Sequence, residues 1–260
     1  MSLMKEILDT KLKRDEVLVC FLGQTGFIFR TPEVSLCVDP YLSDSCGKNE
    51  AITKELGAAL VRALPILINP EELDVDFVFA THPHQDHADP ETLLGIKAEK
   101  TKFVGPTSVI KLLAELGIPA EKGIALNAGE VRAFGSASVR AVYARHAPGN
   151  VGYVFELAGL KFYTTGDSEF DARLLEVAQY APEVLLVCIN GRWGNMTSAE
   201  AVELTRGLHP KVVIPTHYDM FAANRADPKA FAEAIRQSGS SARALILEPG
   251  KINILSRATL

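Results

Sequence analysis

The chain has 260 residues, 47% of them hydrophobic, with 27 basic against 32 acidic side chains and a net charge of −5. A chain of this length buries roughly three quarters of its unfolded surface. The acidic balance, with no basic cluster, argues against a nucleic-acid partner, which needs cations along its backbone.

In chain order, an N-terminal helical segment precedes strands near residues 17–21, 26–30 and 35–38, the last running into Asp39-Pro40. A loop is expected over 41–48 and a helix from about 53 to 63. The apolar run Val75-Asp76-Phe77-Val78-Phe79-Ala80 reads as a strand, followed by Thr81-His82-Pro83-His84-Gln85-Asp86-His87. Asp89-Pro90-Glu91 then opens a helix, with Asp as N-cap and Pro at its first position. Phe103-Val104 marks another strand, and a helix over 107–116 is stopped by Gly117. Short strands are expected between 124 and 163, a helix over 171–180 and a strand over 184–189. Thr197-Ser198-Ala199-Glu200 is a capping box opening a helix to Leu208. The run 212–216 reads as a buried parallel strand, and a helix over 228–237 leads to a last strand near Leu245. No internal repeat is visible. Alternating strands and helices give an α/β fold, and motifs spread along the chain imply a single domain over 1–260.

No apolar run approaches the roughly 20 residues of a membrane helix, so no membrane partner is expected. The start of the chain shows no basic region ahead of an apolar stretch. Cys20, Cys37, Cys46 and Cys188 show no paired spacing, and all but Cys46 lie in apolar runs, so reduced cysteines and a cytoplasmic location are expected.

The heptapeptide 81–87 is the most informative feature. Imidazole and carboxylate are the ligands borderline divalent metals prefer. His82 and His84 lie two apart in a segment held extended by Pro83, so both rings leave one side and grip one ion. Asp86 and His87, beside the start of the next helix, are turned toward a second position. His146 follows the alternating run 138–143, Asp167 ends 161–166 and His217 ends 212–216. Each candidate falls at the carboxyl end of a strand, where open α/β sheets place their sites. A surface loop, a turn or a core histidine would account for any one of these, but not for their recurrence. His209, before Pro210, reads as a helix-terminal residue with no metal role.

The pattern His-x-His-x-Asp-His, then a His, a Gly-Asp and a final His after buried strands, closely resembles the metallo-β-lactamase superfamily. Within it the chain looks most like the ascorbate-6-phosphate lactonase (UlaG-like) group and related metal-dependent hydrolases. The matching phrases include Leu22-Gly23-Gln24-Thr25-Gly26-Phe27, Val38-Asp39-Pro40-Tyr41, Thr165-Gly166-Asp167-Ser168, Asn195-Met196-Thr197-Ser198 and Pro215-Thr216-His217-Tyr218-Asp219. The lactonases are longer, with extra segments around the site that this chain lacks. The resemblance implies a four-layer αβ/βα sandwich, two mixed sheets face to face with helices outside. It implies that His82, His84 and His146 hold one divalent ion and that Asp86, His87 and His217 hold another, with Asp167 bridging. Manganese or zinc is implied first, with iron also compatible. Such ions, about 3.5–4 Å apart, share a water and supply hydroxide near neutral pH. The implied reaction is hydrolysis of a small polar or phosphorylated lactone or ester, with Asp86, Asp167 and His217 as the catalytic set. Asp86 would orient the nucleophile or pass a proton to the leaving group. A phosphodiesterase or nuclease, and an iron-dependent oxidoreductase, are the alternatives on the same scaffold.

Beyond these residues the sequence leaves choices open. Asp39 reads equally as an acceptor for the ring N–H of a metal-bound histidine and as a turn residue before Pro40. Arg145, Arg192, Asn195 and Tyr218 flank the ligand-bearing segments and are candidates for an anionic or hydroxylated substrate. Trp193, between Gly191 and Gly194, lies in a loop that either closes over a ligand or packs on an edge. The partner expected is a small-molecule substrate, and a homo-oligomer is compatible with the sequence.

Overall fold

A computed structural model describes residues 2–260. Strand β1 (Val17–Gly23) is buried along its whole length because both of its faces are covered. Side chains alternate across a strand, so Val17, Val19 and Phe21 enter the core between two sheets. Leu18, Cys20 and Leu22 face the other way, into a cluster beneath helices. Strands β2 (Gly26–Arg30) and β3 (Ser35–Val38) follow antiparallel. Then β4 (Phe77–Phe79), β5 (Lys102–Gly105) and β6 (Gly123–Ala125) add in parallel. The second sheet begins with a meander of β7 (Val131–Phe134), β8 (Ala137–Tyr143), β9 (Val151–Leu157) and β10 (Leu160–Thr164). It continues in parallel through β11 (Val184–Cys188), β12 (Val212–Thr216) and β13 (Arg243–Ala244). Strand β14 (Ile252–Leu255) returns to the first sheet, antiparallel to β1. Both sheets are mixed and seven-stranded.

The inner faces meet through aromatic side chains. Phe79 sits edge-on to Phe155 at 5.3 Å between ring centroids, and Phe29 is tilted against Phe162 at 5.2 Å, geometries that ring quadrupoles favour. Helices α1 (Leu3–Asp9), α2 (Ser45–Lys48), α3 (Glu50–Leu56), α4 (Pro90–Gly95) and α5 (Thr107–Glu115) belong to the first half of the chain. Of these, α1, α4 and α5 cover the first sheet through Met4, Ile7, Leu93, Val109 and Leu113. Helices α6 (Ser198–Leu208) and α7 (Pro228–Gln237), with a 3-10 helix over Ala172–Tyr180, cover the second. The layers are helix, sheet, sheet, helix, the sandwich that the resemblance implied. The four cysteines are free and buried.

Several local expectations are corrected. The helix expected over 53–63 is replaced by α2 and α3, because Asn49 caps α3 by accepting from the N–H groups of Ala51 and Ile52, and Gly57 ends it at φ 64°. Residues beyond Gly57 leave the helical path, and Arg62 bridges to Phe221. The segment 172–180 forms a 3-10 helix, and its buried residues Leu174 and Val177 are three apart, matching the three-residue turn. The last strand of the second sheet lies just before Leu245, and β14 was not anticipated. His209 caps α6 in a left-handed conformation, φ 50°.

Candidate metal centre

Seven side chains expected to share a site lie together. The loop between β4 and α4 brings His82, His84, Asp86 and His87; His146 follows β8, Asp167 follows β10 and His217 follows β12. Their donor atoms form two sets. His84 Nδ1 lies 2.9 Å from His82 Nε2 and 3.1 Å from His146 Nε2. In the second set, Asp86 Oδ2 lies 3.6 Å from both His87 Nε2 and His217 Nε2. Asp167 spans the sets: its Oδ1 is 3.1 Å from His217 Nε2 and 3.2 Å from His87 Nε2, while its Oδ2 is 3.7 Å from His146 Nε2.

Hydrogen bonds on the far side of each ring orient the lone pairs. His87 Nδ1 donates to Asp39 Oδ2 at 2.9 Å, and Asp39 also accepts from the N–H and hydroxyl of Thr81 at 2.7 and 2.8 Å. His82 Nδ1 is 3.0 Å from the Thr81 hydroxyl, and His146 Nδ1 donates to the Gly194 carbonyl at 3.0 Å. The Asn224 amide sits 3.1 Å from His217 Nδ1. With Nδ1 engaged as a donor in His82, His87 and His146, Nε2 is the nitrogen that each of these rings turns inward. Asp39 is thus both a turn residue, at φ 44°, and the acceptor for a ring N–H.

These donor sets fit divalent cations. His87 Nε2 and Asp167 Oδ1 are buried and, although 3.2 Å apart, are not aligned for a hydrogen bond with each other or with any other group, an arrangement that costs free energy unless something else satisfies them. His82 Nε2 and His146 Nε2 both point at His84 Nδ1 from about 3 Å, where one ring proton at most could serve all three nitrogens, and a cation satisfies them together. Electrostatics divides the sets. Burial, reinforced by neighbouring imidazoles, holds His82 well below and His84 below the usual imidazole range. Burial also works against a charge on His87 and His217, but the Asp167 carboxylate, with Asp86, outweighs it. His87 is pushed well above its ordinary value and His217 to about 9. Those same imidazoles overcome burial to keep Asp86 and Asp167 below the ordinary carboxylate range.

The backbone is strained where it delivers these groups. Gln24, Asp39, Trp193, His217 and Asp219 all have positive φ, a conformation that non-glycine residues adopt at a cost and that gathers at functional sites. Gly194 permits the approach of its own loop: at φ +80°, a Cβ there would lie 2.8 Å from His146 Nδ1.

A cavity of about 290 Å³ opens onto His84, Asp86, His146, Asp167 and His217. The residues expected to bind substrate do not line it. Arg145 pairs with Glu169 at 3.1 Å, Arg192 is exposed, Asn195 is buried, and Tyr218 packs in the core 6.3 Å from the Phe21 ring. Sequence adjacency to a ligand did not determine side-chain direction. Trp193 does line the cavity. Cys46 also lines it, but burial foremost, with Asp86 nearby, pushes its thiol to about 12, so it is a neutral thiol. Sequence reading assigned no role to Gln24. Its amide donates to Asp86 Oδ2 at 2.7 Å and lies 3.1 Å from His217 Nε2, and its backbone carbonyl accepts from the N–H of His217 at 2.7 Å. The phrase Leu22-Gly23-Gln24-Thr25 was the only signal for it.

Comparison with known proteins agrees with this architecture. Residues 18–217 match the model of the beta-lactamase superfamily domain. The chain is 31% identical over 261 residues to a UPF0173 metal-dependent hydrolase of Myxococcus xanthus, covering 93% of this chain and 85% of the relative. A probable L-ascorbate-6-phosphate lactonase UlaG of Salmonella heidelberg is 27% identical over 202 residues, covering 65% of this chain and 56% of that protein. The solved structure of Igni18, a metallo hydrolase from Ignicoccus hospitalis, superposes with a TM-score of 0.76 at 24% identity, covering 93% of this chain and 99% of that one. The chain belongs to the beta-lactamase superfamily, among its metal-dependent hydrolases. No helix among the described residues is long and apolar enough to cross a membrane.

Proposed function

We propose that the chain hydrolyses a lactone or ester of a small molecule with the help of two divalent cations. His82, His84 and His146 would hold one and Asp86, His87 and His217 the other, with Asp167 between. The observation that carries this reading is the Asp167 carboxylate, whose two oxygens face different donor sets. Bound there, divalent ions would polarise an acyl carbonyl and lower the pKa of water enough to supply a nucleophile near neutral pH.

The chain's own groups do the rest. Asp86 lines the cavity with its carboxylate held in place, so it would orient an incoming water and relay its proton toward the leaving oxygen. Gln24 fixes the Asp86 carboxylate through its Nε2 donor. Asp39, Thr81 and Gly194 lock the rings of His87, His82 and His146, a far-side support that raises ligand basicity. No serine or cysteine nucleophile is needed, in keeping with the neutral Cys46 thiol.

Elemental analysis of protein purified without added metal, followed by turnover of lactones, esters, thioesters and phosphodiesters, tests the reading. Two equivalents of manganese or zinc and cleavage of lactones or esters support it. Iron with no hydrolysis points to the oxidoreductase alternative, and cleavage of phosphodiesters alone overturns the acyl substrate.

A further inference from the structure

We infer that the site takes an uncharged substrate whose acyl or alkyl part is apolar, rather than a phosphorylated or carboxylated one. This rests on the hydrolase reading above and names the substrate class for the same site. The cavity wall facing the donor sets is built from Ile52, Leu56, Leu60, Trp193 and Phe221. Helix α3 supplies the first two, and none of the five carries charge. No lysine or arginine lines the cavity, and the only charged wall residue outside the donor sets is the acidic Glu55.

Arg62, Lys48 and Arg145 are committed elsewhere, and Arg192, beside Trp193, is exposed and does not line the cavity. The Arg62 guanidinium donates to the carbonyls of Tyr41 and Leu64, each at 2.7 Å, and lies 5.0 Å from the Tyr41 ring centre. Lys48 pairs with Glu91 at 2.9 Å and Arg145 with Glu169 at 3.1 Å. The N-terminus of α3 is already satisfied by Asn49. A terminal phosphate or carboxylate against this wall, away from the donor sets, would lose water, meet no cationic side chain and face Glu55, a costly exchange. An alkyl or aryl group gains by leaving water for this wall, about fourfold in affinity for each buried methylene. The volume, about 290 Å³, suits a small molecule.

Trp193 is the only tryptophan, so its fluorescence reports occupancy of the cavity whether or not turnover occurs. The metal-loaded protein is titrated with uncharged aliphatic amides from acetyl to hexanoyl, which resist hydrolysis, and with the counterpart of the longest that ends in a carboxylate. The same acyl series as esters is assayed for turnover. The inference predicts affinity and kcat/KM rising about fourfold per methylene until the cavity is full, with the carboxylate-terminated member at least tenfold weaker. Leu56→Gln is expected to flatten the rise. Binding independent of chain length, or equal or tighter binding of the anionic member, overturns it. Chain-length-dependent binding with no ester turned over would retain the apolar cavity and discard the hydrolase reading.

Discussion

Gln24 Nε2 donates to Asp86 Oδ2 at 2.7 Å, joining the turn after β1 to the histidine-rich loop 62 residues away. The same turn receives the His217 N–H on its backbone carbonyl. Gln24 therefore orients two members of the second donor set at once. Gln24→Leu keeps the volume and removes the donor. We expect metal affinity at the second set to fall about tenfold to a hundredfold, as for other groups that orient ligands. Binding at His82, His84 and His146 should be little changed. Competition with a chelator resolves the two sites, and an unaltered second constant would show that Gln24 only fills space.

Asp167→Asn keeps the shape of the side chain but removes the charge shared by the two sets. Loss of one metal equivalent is expected, with the circular dichroism spectrum of the fold retained and most activity gone. Full metal content and activity would reduce Asp167 to a turn residue after Gly166.

Proton release should differ between the sets. His82 and His84 are held neutral, so a cation entering there displaces no proton from them. His87 and His217 have raised pKa values, so each gives up a proton when a cation enters the second set at neutral pH. Calorimetry in buffers of different ionisation enthalpy should detect that release, and affinity at the second set should climb with pH until about 9, the His217 value. The stability of the metal-free protein is expected to show the opposite sign. Raised pKa values contribute stability that is complete below about pH 6.5, the unfolded value, and is lost as pH rises through about 9. Buffer-independent enthalpies for both equivalents would contradict this division.

Asp39→Asn tests the support behind His87. The variant leaves the His87 Nδ1 donor facing an amide and disturbs two bonds from Thr81. Affinity of the second set should drop about tenfold or more, while His209→Ala, at the far end of α6, should leave metal content unchanged. Equal effects from the two variants would remove the special place of Asp39.

The donor set was legible in the sequence because ligand spacing and strand-end placement are local signals. The heptapeptide 81–87 and the buried runs before Asp167 and His217 record them directly. What surrounds the donors depends on where loops travel in space. Arg145 follows a strand and precedes a site histidine, yet its side chain turns to Glu169. Tyr218 follows His217, but the left-handed backbone at His217 directs the next residue into the core. Gln24 has no metal-ligand chemistry to announce it, and its role arises from contacts 62 and 193 residues away. The sandwich came from the resemblance, since alternation alone gave only α/β. The misplaced helix over 53–63 failed because Gly57 ends one helix where helix propensity alone would have continued it.

Anomalous diffraction from crystals of the protein purified without added metal, recorded at the absorption edge of the metal found by elemental analysis, tests the central claim most directly. Two peaks about 3.5–4 Å apart are expected, one among His82, His84 and His146, the other among Asp86, His87 and His217, with Asp167 between them. A single peak outside these residues, or His146 and His217 pointing away from any bound ion, would contradict the account.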